Sequence, residues 1–390
     1  MTLSIWDTLK YEVYHTHTDS MNRSSTKGRI VCTVTTDLSF DQRMNRICHS
    51  LAQAGYEVEL VGRKLPHSLP LKEKLFRQKR LFCFFTKGKL FYAEYAIRLF
   101  FYLLTRRCDV YCAIDLDTIL SVLYASKLKN KKRVYDAHEL FCEMDEITSR
   151  PVIYKVWRAI ERHCIPQFPH GYTIGPFYAR EFEERYGVSY TVVRNATVLK
   201  PLAIEENASS PYILYQGAVN EGRCFETLIP AMQFIDLPLV VCGKGNFFEQ
   251  AVALSKEYQV EHKIQFKGYI EPEQLTHFTK HAYIGITLFT SKGKSNYYSM
   301  ANRYFDYMHY AIPQLCVNYP EYKHVNQQFE VAALIDDTSS EAIAQTLQKL
   351  ISDKTYYQHL RQQCILARET YCWQAEEKRL IAFYDQLLHA

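Results

Sequence analysis

The stretch RIVCTVTTDLSFDQRMNRICHSLAQAGYEVELVG, residues 29–62, carries the pattern that predicts the fold of the chain. RIVCTV (29–34) is a short, nearly continuous apolar run, as expected of a strand buried on both faces. QRMNRICHSLAQAG then spaces its apolar residues at helical intervals and ends at Gly55, a residue type that commonly terminates helices. EVELVG (57–62) is the next strand. This order predicts a parallel β-α-β unit.

The same alternation continues along the chain and restarts once. Further strand candidates before residue 200 are DVYCAI (109–114), RVYDA (133–137), YTI (172–174) and YTVVRNA (190–196). Those after it are PYILYQG (211–217), LPLVVCG (237–243), HKIQFKG (262–268), AYIGITLF (282–289), IPQLCV (312–317) and VAALI (331–335). We therefore expect an α/β protein with two Rossmann-like, doubly wound domains in tandem. We place them at 28–198 and 199–372, between a loose extension at 1–27 and a C-terminal helix at 373–390 that packs back on the N-terminal domain.

Composition excludes several classes of protein. The hydrophobic content of 47% and charged content of 23% are those of a globular chain and argue against extensive disorder. The twelve cysteines form no CxxC pair and the histidines show no metal-binding spacing, so we expect free, mostly buried thiols in a reducing cytosol and no metal site. The densest apolar run, YAIRLFFYLL (95–104), contains Arg98 and is too short to cross a bilayer. We expect a cytoplasmic protein.

Residues 63–107 are strongly basic. They contain twelve lysines or arginines and only two acids, Glu73 and Glu94, a net charge of +10 in a chain whose total is +5. Aromatic and aliphatic residues lie between the cations. Anionic lipid headgroups attract such a segment, so we expect peripheral binding at the inner face of a membrane. A solvated helix face and a nucleic-acid surface are the alternatives, but no nucleic-acid-binding module supports the second, and no nucleic acid is expected as a partner.

Polar side chains follow the predicted strands of the first half, at the edge where open α/β sheets bind ligands. They are Asp37 and Asp41 after the first strand, Asp115 and Asp117 after DVYCAI, and Asp136, His138 and Glu139 after RVY. His138 is a candidate for contact with a sugar hydroxyl or for proton transfer. The alternative for the aspartates is capping of the helices that follow.

Glycines and cations mark the strand ends of the second half. QGAVNEGR (216–223) contains Gly217 and Arg223, CGKGN (242–246) contains Gly243, Lys244 and Gly245, and Gly268 precedes Tyr269 and Ile270. Glycine lets a backbone approach a phosphate, and arginine neutralises its charge. For the first motif, a turn with an exposed arginine is the alternative. A cleft between the two walls suits a phosphorylated donor on one side and a hydroxyl-rich partner on the other.

SNYYSMANRYFDYMHYAIP (295–313) predicts an amphipathic helix. One face carries Ala301, Tyr304, Phe305 and Met308, and the other carries Ser299, Asn302, Arg303 and Asp306. Arg303 and the backbone amides at the start of the helix suit a phosphate, and Asp306 suits a pair of ribose hydroxyls. The alternative is a solvated face with an Arg303–Asp306 ion pair.

These landmarks resemble the GT-B glycosyltransferases, most closely the large retaining, family 4-like group that uses nucleotide diphosphate sugars, of the bacterial surface-polysaccharide type. The resemblance runs from about Arg29 through nearly the whole chain. TVTTDLSFDQRMNRICHSLAQAGYEVELVGR is similar to the group's opening strand, acceptor-side loop and first helix, and YDAHELF to its second landmark. YILYQGAVNEGR, LVVCGKGN and IQFKGYI match its donor-domain strand ends, and ANRYFDYMHYAIP resembles its P-x-K-x-x-E-x-M-x-x-G-x-P signature.

The resemblance implies two Rossmann-like domains that face each other across a cleft, and transfer of a sugar from a UDP- or GDP-linked donor. The acceptor would be a hydroxyl of a glycan or a lipid-linked molecule, the configuration would be retained, and neither metal nor cofactor would take part. Arg223 and Arg303 would hold the diphosphate, with His138 near the transferred sugar. The implied donor-binding residues are Gly217, Gly243, Lys244, Gly245, Tyr269, Ile270, Tyr298, Ser299, Asn302 and Asp306. On the acceptor side they are Asp41, Arg43, Asp115, Asp117, Asp136 and Glu139.

Two positions depart from the group's signature. Tyr298 occupies the place of a glutamate, and Ala301 replaces a proline. A scaffold that binds a nucleotide or an assembly partner without turnover is therefore an alternative. An inverting transferase with Asp41 or His138 as base, and a nucleotide-sugar epimerase, are the others.

Overall fold

The structure, a computed structural model, describes residues 26–39, 41–202 and 210–389. All but the last two positions of the expected extension at 1–27 lie outside these ranges. Within them the chain folds into two α/β domains, each built on a parallel sheet. The prediction of two doubly wound domains is confirmed.

The N-terminal sheet has seven strands within the described residues, in the order β3-β2-β1-β4-β5-β6-β7. The strands are β1 Arg29–Thr33, β2 Glu57–Lys64, β3 Arg77–Phe82, β4 Val110–Ile114, β5 Lys132–Ala137, β6 His170–Thr173 and β7 Thr191–Val192. The helices are α1 Gln42–Gln53, α2 Gly88–Thr105, α3 Leu116–Leu128, α4 Asp145–Thr148, α5 Pro151–Cys164 and α6 Pro176–Tyr186. Short 3₁₀ turns cover Phe141–Glu143 and Ile165–Gln167.

The C-terminal sheet has six strands in the described part of the chain, in the order β10-β9-β8-β11-β12-β13. The strands are β8 Ile213–Gln216, β9 Leu239–Cys242, β10 Ile264–Gly268, β11 Ile284–Thr287, β12 Gln314–Val317 and β13 Ala332–Ile335. The helices are α7 Phe225–Ala231, α8 Phe248–Glu257, α9 Pro272–Lys280, α10 Lys294–Tyr298, α11 Asn302–His309, α12 Pro320–Gln328, α13 Ser340–Ser352, α14 Lys354–Thr370 and α15 Trp373–His389. Met232–Phe234 and Glu261–Lys263 form 3₁₀ turns.

Alternate residues of the strands enter cores on opposite faces of each sheet. In β1, Val31 packs in one hydrophobic core, whereas Ile30 and Cys32 pack in another. In β8, Ile213 and Leu214 are divided in the same way. Burial on both faces explains why these strands appear in the sequence as continuous apolar runs rather than as alternating ones.

Both sheets reverse their winding beside their first strand, between β1 and β4 and between β8 and β11. Ligands of open α/β sheets bind at this reversal, beyond the carboxyl ends of the strands. The loops after β1, β4, β8 and β11 are therefore where a site is expected.

Three elements differ from the sequence-based expectation. Strand β3 was not anticipated, because its exposed cations conceal an edge strand. The stretch 295–313 is not one helix: α10 ends at Tyr298, Ser299 has extended backbone, and α11 begins at Asn302. Of YTVVRNA, only Thr191–Val192 joins the sheet.

The last helix, α15, packs against the N-terminal domain. Leu380 and Tyr384 are fully buried in the same core as Ile30 of β1. The chain thus crosses between the domains twice, and the two crossings are hydrogen-bonded to each other: Trp373 N donates to Thr197 O at 2.9 Å.

The twelve cysteines are all buried, and none of them forms a disulfide. Among the described helices, none combines the length and the apolar character needed to cross a bilayer.

Candidate functional site

Gly217 forms the corner at the carboxyl end of β8, at the winding reversal of the C-terminal sheet. Its backbone φ of +125° lies in a region that favours glycine. A Cβ atom at this position would lie 3.1 Å from a guanidinium nitrogen of Arg303. Glycine at 217 therefore leaves room for the backbone turn and for the arginine below it.

Two arginine side chains contact one aromatic ring at this corner. The guanidinium carbon of Arg223 lies 4.4 Å from the ring centroid of Phe289, and that of Arg303 lies 4.7 Å from the same centroid. Arg303 also lies 4.6 Å from the ring centroid of Tyr215. The aromatic faces hold both cations through cation–π attraction.

The hydrogen bonds of these arginines go to neutral groups. Arg223 donates to Oδ1 of Asn296 at 3.4 Å, and Arg303 donates to the carbonyls of Gln216 and Leu288 at 3.4 Å each. Within the described residues neither arginine forms a salt bridge, and Nε of Arg303 has no partner. Burial and the nearby charge of Arg303 lower the pKa of Arg223. Because a buried, unpaired cation is costly, an anion bound between the two would lower the free energy of this corner.

Asp306 does not pair with Arg303, so the alternative of a simple ion pair on a solvated helix face is wrong. Its carboxylate accepts hydrogen bonds from Oγ1 of Thr197 at 2.6 Å and from Nε2 of Gln216 at 2.9 Å. Burial raises its pKa, although both hydrogen bonds act in the opposite direction. Asp306 therefore links the C-terminal domain to the crossing segment at Thr197.

A cleft of about 880 Å³ opens beside Gly217. Five of the predicted donor-binding residues line its C-terminal wall: Gly217, Gly243, Lys244, Tyr269 and Ile270. Its N-terminal wall includes Ser39, Gln42, Lys72 and Lys74. The sequence motifs at three successive strand ends thus meet in one space between the domains.

Gly245 is absent from that lining, against the prediction. It packs on the loop after β8, where a Cβ atom would lie 2.2 Å from the carbonyl oxygen of Val219. Gly243 is equally constrained, because its Cβ would lie 1.7 Å from the carbonyl oxygen of Gly217. These glycines allow two strand-end loops to pack directly on each other.

A second cleft, of about 890 Å³, includes Arg223 in its lining. Arg223, Ser295 and Asn296 line it from the C-terminal domain, and Glu139 and Asp145 line it from the N-terminal domain. Glu139 accepts hydrogen bonds from Oγ of Ser295 at 2.7 Å and from the hydroxyl of Tyr178 at 3.4 Å. Burial raises its pKa. Arg223 therefore faces this second cleft, whereas Gly217, beside Arg303, faces the first.

His138 lies beyond the carboxyl end of β5, next to a buried ion pair. Asp136 is fully buried, with Oδ1 3.1 Å from Nη2 of Arg43 and Oδ2 2.9 Å from Nε2 of His138. Arg43 Nε is also 2.8 Å from that imidazole nitrogen, which can donate to Asp136 or accept from Arg43 but not do both. Burial alone would lower the pKa of His138, but the charge of Asp136 raises it above its ordinary value.

This geometry corrects the acceptor-side assignment of Asp136. Burial alone would raise the pKa of Asp136, but Arg43 and His138 bring it below its ordinary value. A fully buried carboxylate cannot reach an acceptor, so Asp136 positions His138 instead. Arg43, 5% exposed, belongs to the same buried support.

The other predicted carboxylates make contacts within the N-terminal wall. Asp115 Oδ1 accepts from the backbone N–H groups of His138 at 2.8 Å and Glu139 at 3.3 Å, and burial raises its pKa to about 6. Asp117 accepts from Thr35, and burial followed by the charge of Asp115 raises its pKa to about 7. Asp41 caps α1 through Met44 N at 3.0 Å, which is a structural role rather than that of a base.

Five predicted donor-binding residues lie outside the lining of both clefts: Gly245 and Asp306, described above, and Tyr298, Ser299 and Asn302. Tyr298 stacks on Phe177 of the N-terminal domain, with ring centroids 5.7 Å apart and planes within 3°. Ser299 donates to the carbonyl of Asn296 at 3.1 Å. Asn302 accepts from Nδ2 of Asn195 at 2.7 Å, across the domain boundary. In this conformation the last three hold the domains together or stabilise their own turn.

Phe289 and Ser295 were not among the predicted site residues. Phe289 ends the predicted strand AYIGITLF, so it lies at a strand end like the other site residues. The strand-end motifs were recognised by their glycines and charged residues, and this one has neither at its end. Ser295 lies in the quoted helical stretch, and its contact with Glu139 depends on the tertiary structure.

Two family models match consecutive parts of the chain. One, described as Glycosyltransferase Family 4, matches residues 42–199, and the other, described as Glycosyl transferases group 1, matches residues 202–366. No curated protein sequence matches the chain significantly.

Solved structures share the fold over nearly the full length. Sucrose-phosphate synthase from Thermosynechococcus elongatus has 16% sequence identity and a TM-score of 0.77, with 93% of this chain and 99% of that chain covered. HepE from Anabaena, solved in complex with UDP-glucose, has 9% identity and a TM-score of 0.71, with 92% and 100% covered. A putative UDP-N-acetylglucosamine 2-epimerase from Listeria monocytogenes has 13% identity and a TM-score of 0.62, with 93% and 96% covered.

Two consecutive glycosyltransferase domains and a shared architecture confirm the resemblance to GT-B enzymes. The chain therefore belongs to the glycosyltransferases of GT-B fold, with a Family 4 domain followed by a group 1 domain, and it is an enzyme that transfers sugars.

Proposed function

We propose that the protein transfers a sugar from a nucleotide diphosphate sugar, UDP- or GDP-linked, to a hydroxyl of a glycan or lipid-linked acceptor, as in surface polysaccharide assembly. The observation that carries this proposal is the pair Arg223 and Arg303 on the ring of Phe289, without a carboxylate partner among the described residues. Such a pair suits a diphosphate. A structural relative, HepE, was solved with UDP-glucose, which supports this donor class.

The diphosphate would lie at the Gly217 corner, where the backbone leaves room for it. The nucleoside would extend along Gly243, Lys244, Tyr269 and Ile270 in the 880 Å³ cleft. Asp306, beside Gln216, would bind the ribose hydroxyls. The sugar would then point towards the second cleft, with His138 and Glu139 on the opposite wall.

The reaction would proceed with retention and without a metal. As the bond between the sugar and the diphosphate breaks, negative charge grows on the leaving phosphate, and the two guanidinium groups stabilise it. The acceptor hydroxyl attacks the same face and passes its proton to an oxygen of the departing diphosphate. The protein then needs to supply orientation and charge stabilisation rather than a strong base.

The test is Arg303→Met, which removes the charge and keeps much of the side-chain volume. We expect turnover to fall by about 100-fold or more, because the lost charge acts on the leaving group. Thermal shifts with UDP and GDP should shrink in parallel. Arg162→Met, at an exposed position of α5, is the matched control. Near-normal turnover in Arg303→Met would remove this arginine from the mechanism.

A second candidate is a scaffold that binds the nucleotide without turnover. Tyr298 favours it, because a tyrosine stacked on Phe177 stands where the related signature has a glutamate. Calorimetric binding of a nucleotide diphosphate together with an unchanged donor, both with and without glycan acceptors, would support it. NMR of the product would separate the remaining alternatives: a changed anomer indicates inversion, and donor conversion without an acceptor indicates an epimerase.

A further inference from the structure

Helix α2 is apolar on two opposite faces. Its inner face buries Phe91, Tyr95, Leu99 and Leu103 in the N-terminal core. Its outer face carries Leu90, Ile97 and Phe101, each more than half exposed. A surface helix normally has a polar outer face, and one that is apolar all round is normally covered on both sides. The outer face of α2 therefore has the character of a contact surface.

The turn before α2 adds two aromatic rings that are held in place by hydrogen bonds rather than by burial. The carboxylate of Glu94 accepts from the backbone N–H groups of Phe84 and Phe85, both at 3.0 Å, and from Nε of Arg98 at 2.8 Å. Arg98 in turn lies 5.2 Å from the ring centroid of Phe84. Glu94 thus fixes the turn on α2 while the ring of Phe84 remains 74% exposed.

The surface is also cationic. Lys87 and Lys89 are exposed at the start of α2, and neither forms an ion pair among the described residues. Glu94, one of two acids between residues 63 and 107, is already engaged with Arg98 and the turn. An approaching surface therefore meets apolar side chains flanked by uncompensated positive charge.

The position in the fold links this surface to the clefts. The turn with Phe84 follows β3, so it lies at the carboxyl edge of the N-terminal sheet. His138 follows β5 at the same edge. The Phe84 turn and the start of α2 therefore lie at the edge of the sheet that carries His138, and the helix runs from there back towards the opposite edge.

We propose that Phe84, Leu90, Ile97 and Phe101, with Lys87 and Lys89, form a docking surface for a bilayer rich in anionic phospholipids. The apolar side chains enter the boundary between the headgroups and the acyl chains of the bilayer, and the lysines contact the headgroups. A second copy of the chain fits less well, because a self-complementary interface would bring the same lysines close to one another. The docking surface is separate from the arginine pair, so it stands or fails independently of the proposed donor.

The experiment is flotation of the full chain with vesicles of phosphatidylcholine alone or mixed with phosphatidylglycerol. We expect binding to the mixed vesicles only, and release at high salt, because salt screens the lysines. Phe84→Ser combined with Phe101→Ser should lower the bound fraction by about tenfold. The matched control is Phe234→Ser with Leu366→Ser, since these C-terminal-domain side chains are 58% and 55% exposed. A cooperative melting transition close to that of the wild type shows that each variant is folded.

A charge-reversed pair tests the second component. Lys87→Glu with Lys89→Glu should lose binding to the mixed vesicles, whereas Lys256→Glu with Lys323→Glu, at exposed positions of α8 and α12, should not. Equal binding to both vesicle types, or equal losses in test and control pairs, would overturn the proposal. A wild-type dimer that becomes monomeric in Phe84→Ser/Phe101→Ser, without vesicle binding, would assign the surface to a second copy instead.

Discussion

At the scale of single residues, Asp136 shows how a fully buried side chain controls the charge of its neighbour. It is fully buried and contacts both Arg43 and His138, and its negative charge favours the imidazolium form of His138. The protonation state of His138 is therefore set by the carboxylate buried beneath it.

Asp136→Asn tests this dependence. The amide keeps the shape but removes the charge, so the pKa of His138 should fall, which NMR titration of its ring protons can follow. Asp109→Asn, at a half-buried position near the opposite edge of the sheet, is the control and should leave His138 unchanged. An unaltered His138 titration in Asp136→Asn would mean that Asp136 does not set the charge of this histidine.

Sequence reasoning located His138, Arg223 and Arg303 because polar residues after buried strands and on one helix face are visible in the chain itself. It could not place the contact partners. The stacking of both arginines on Phe289 and the burial of Asp136 depend on packing between segments far apart in sequence. For the same reason, the alternative interpretation paired Asp306 with Arg303. The observed hydrogen-bond partners of Asp306 are Thr197 and Gln216.

At the scale of elements, α15 belongs to the N-terminal core although it is the last helix described. Trp373 donates from Nε1 to Oγ of Ser50 at 3.0 Å, and Leu380 is fully buried beside α1 and β1. The apolar periodicity of residues 373–390 predicted a helix that returns to the N-terminal domain, and the tertiary structure shows which side chains it meets there. Strand β3 is the converse case, since tertiary pairing with β2 overrides a charged sequence.

Leu380→Ala measures how far α15 stabilises the N-terminal domain. Loss of a fully buried leucine side chain should lower the free energy of unfolding by about 2–5 kcal/mol. Leu366→Ala, on the exposed face of α14, should change it little. Urea unfolding followed by tryptophan fluorescence is suitable because Trp373 lies in the same core. Equal effects of the two substitutions would show that α15 contributes no core packing.

At the scale of the whole molecule, several buried acids make stability depend on pH in one direction. Burial raises the pKa of Glu321 from its ordinary 4.5 to about 7, and Asp115 and Asp117 are shifted upward as well. An acid whose pKa is higher in the folded state binds its proton more tightly there. The free energy of unfolding therefore falls as the pH rises from the unfolded-state pKa to the folded-state pKa. The pKa of His138 is also raised, so its stabilising positive charge is lost as the pH rises above that pKa. Burial lowers the pKa of His309 to about 4, so this group acts in the opposite direction below its ordinary pKa of 6.5. Between about pH 6.5 and 8, where His309 is mainly neutral in both states, the melting temperature should therefore decrease.

Glu321→Gln isolates one of these groups at a domain contact. Glu321 of α12 is 1% exposed, and its Oε1 accepts from the backbone N–H of Phe177 across the boundary at 3.0 Å. Without the buried charge, the variant should be more stable than wild type at pH 8 by on the order of 3 kcal/mol, and the gain should vanish below about pH 5. Glu249→Gln, exposed on α8, is the control. A gain that is the same at both pH values would contradict burial as the cause.

The two hydrogen-bonded crossings between the domains limit how the molecule can open. Gln374 and Leu199 exchange a pair of hydrogen bonds, at 2.9 and 3.0 Å, beside the bond between Trp373 and Thr197. Because the two crossings lie side by side, a hinge rotation of one domain against the other can leave both crossings intact. Sliding of the domains past each other would break the hydrogen bonds between the two crossings. Substrate entry and product release would then follow this rotation. It would move the arginine pair of the C-terminal domain towards or away from His138 of the N-terminal domain.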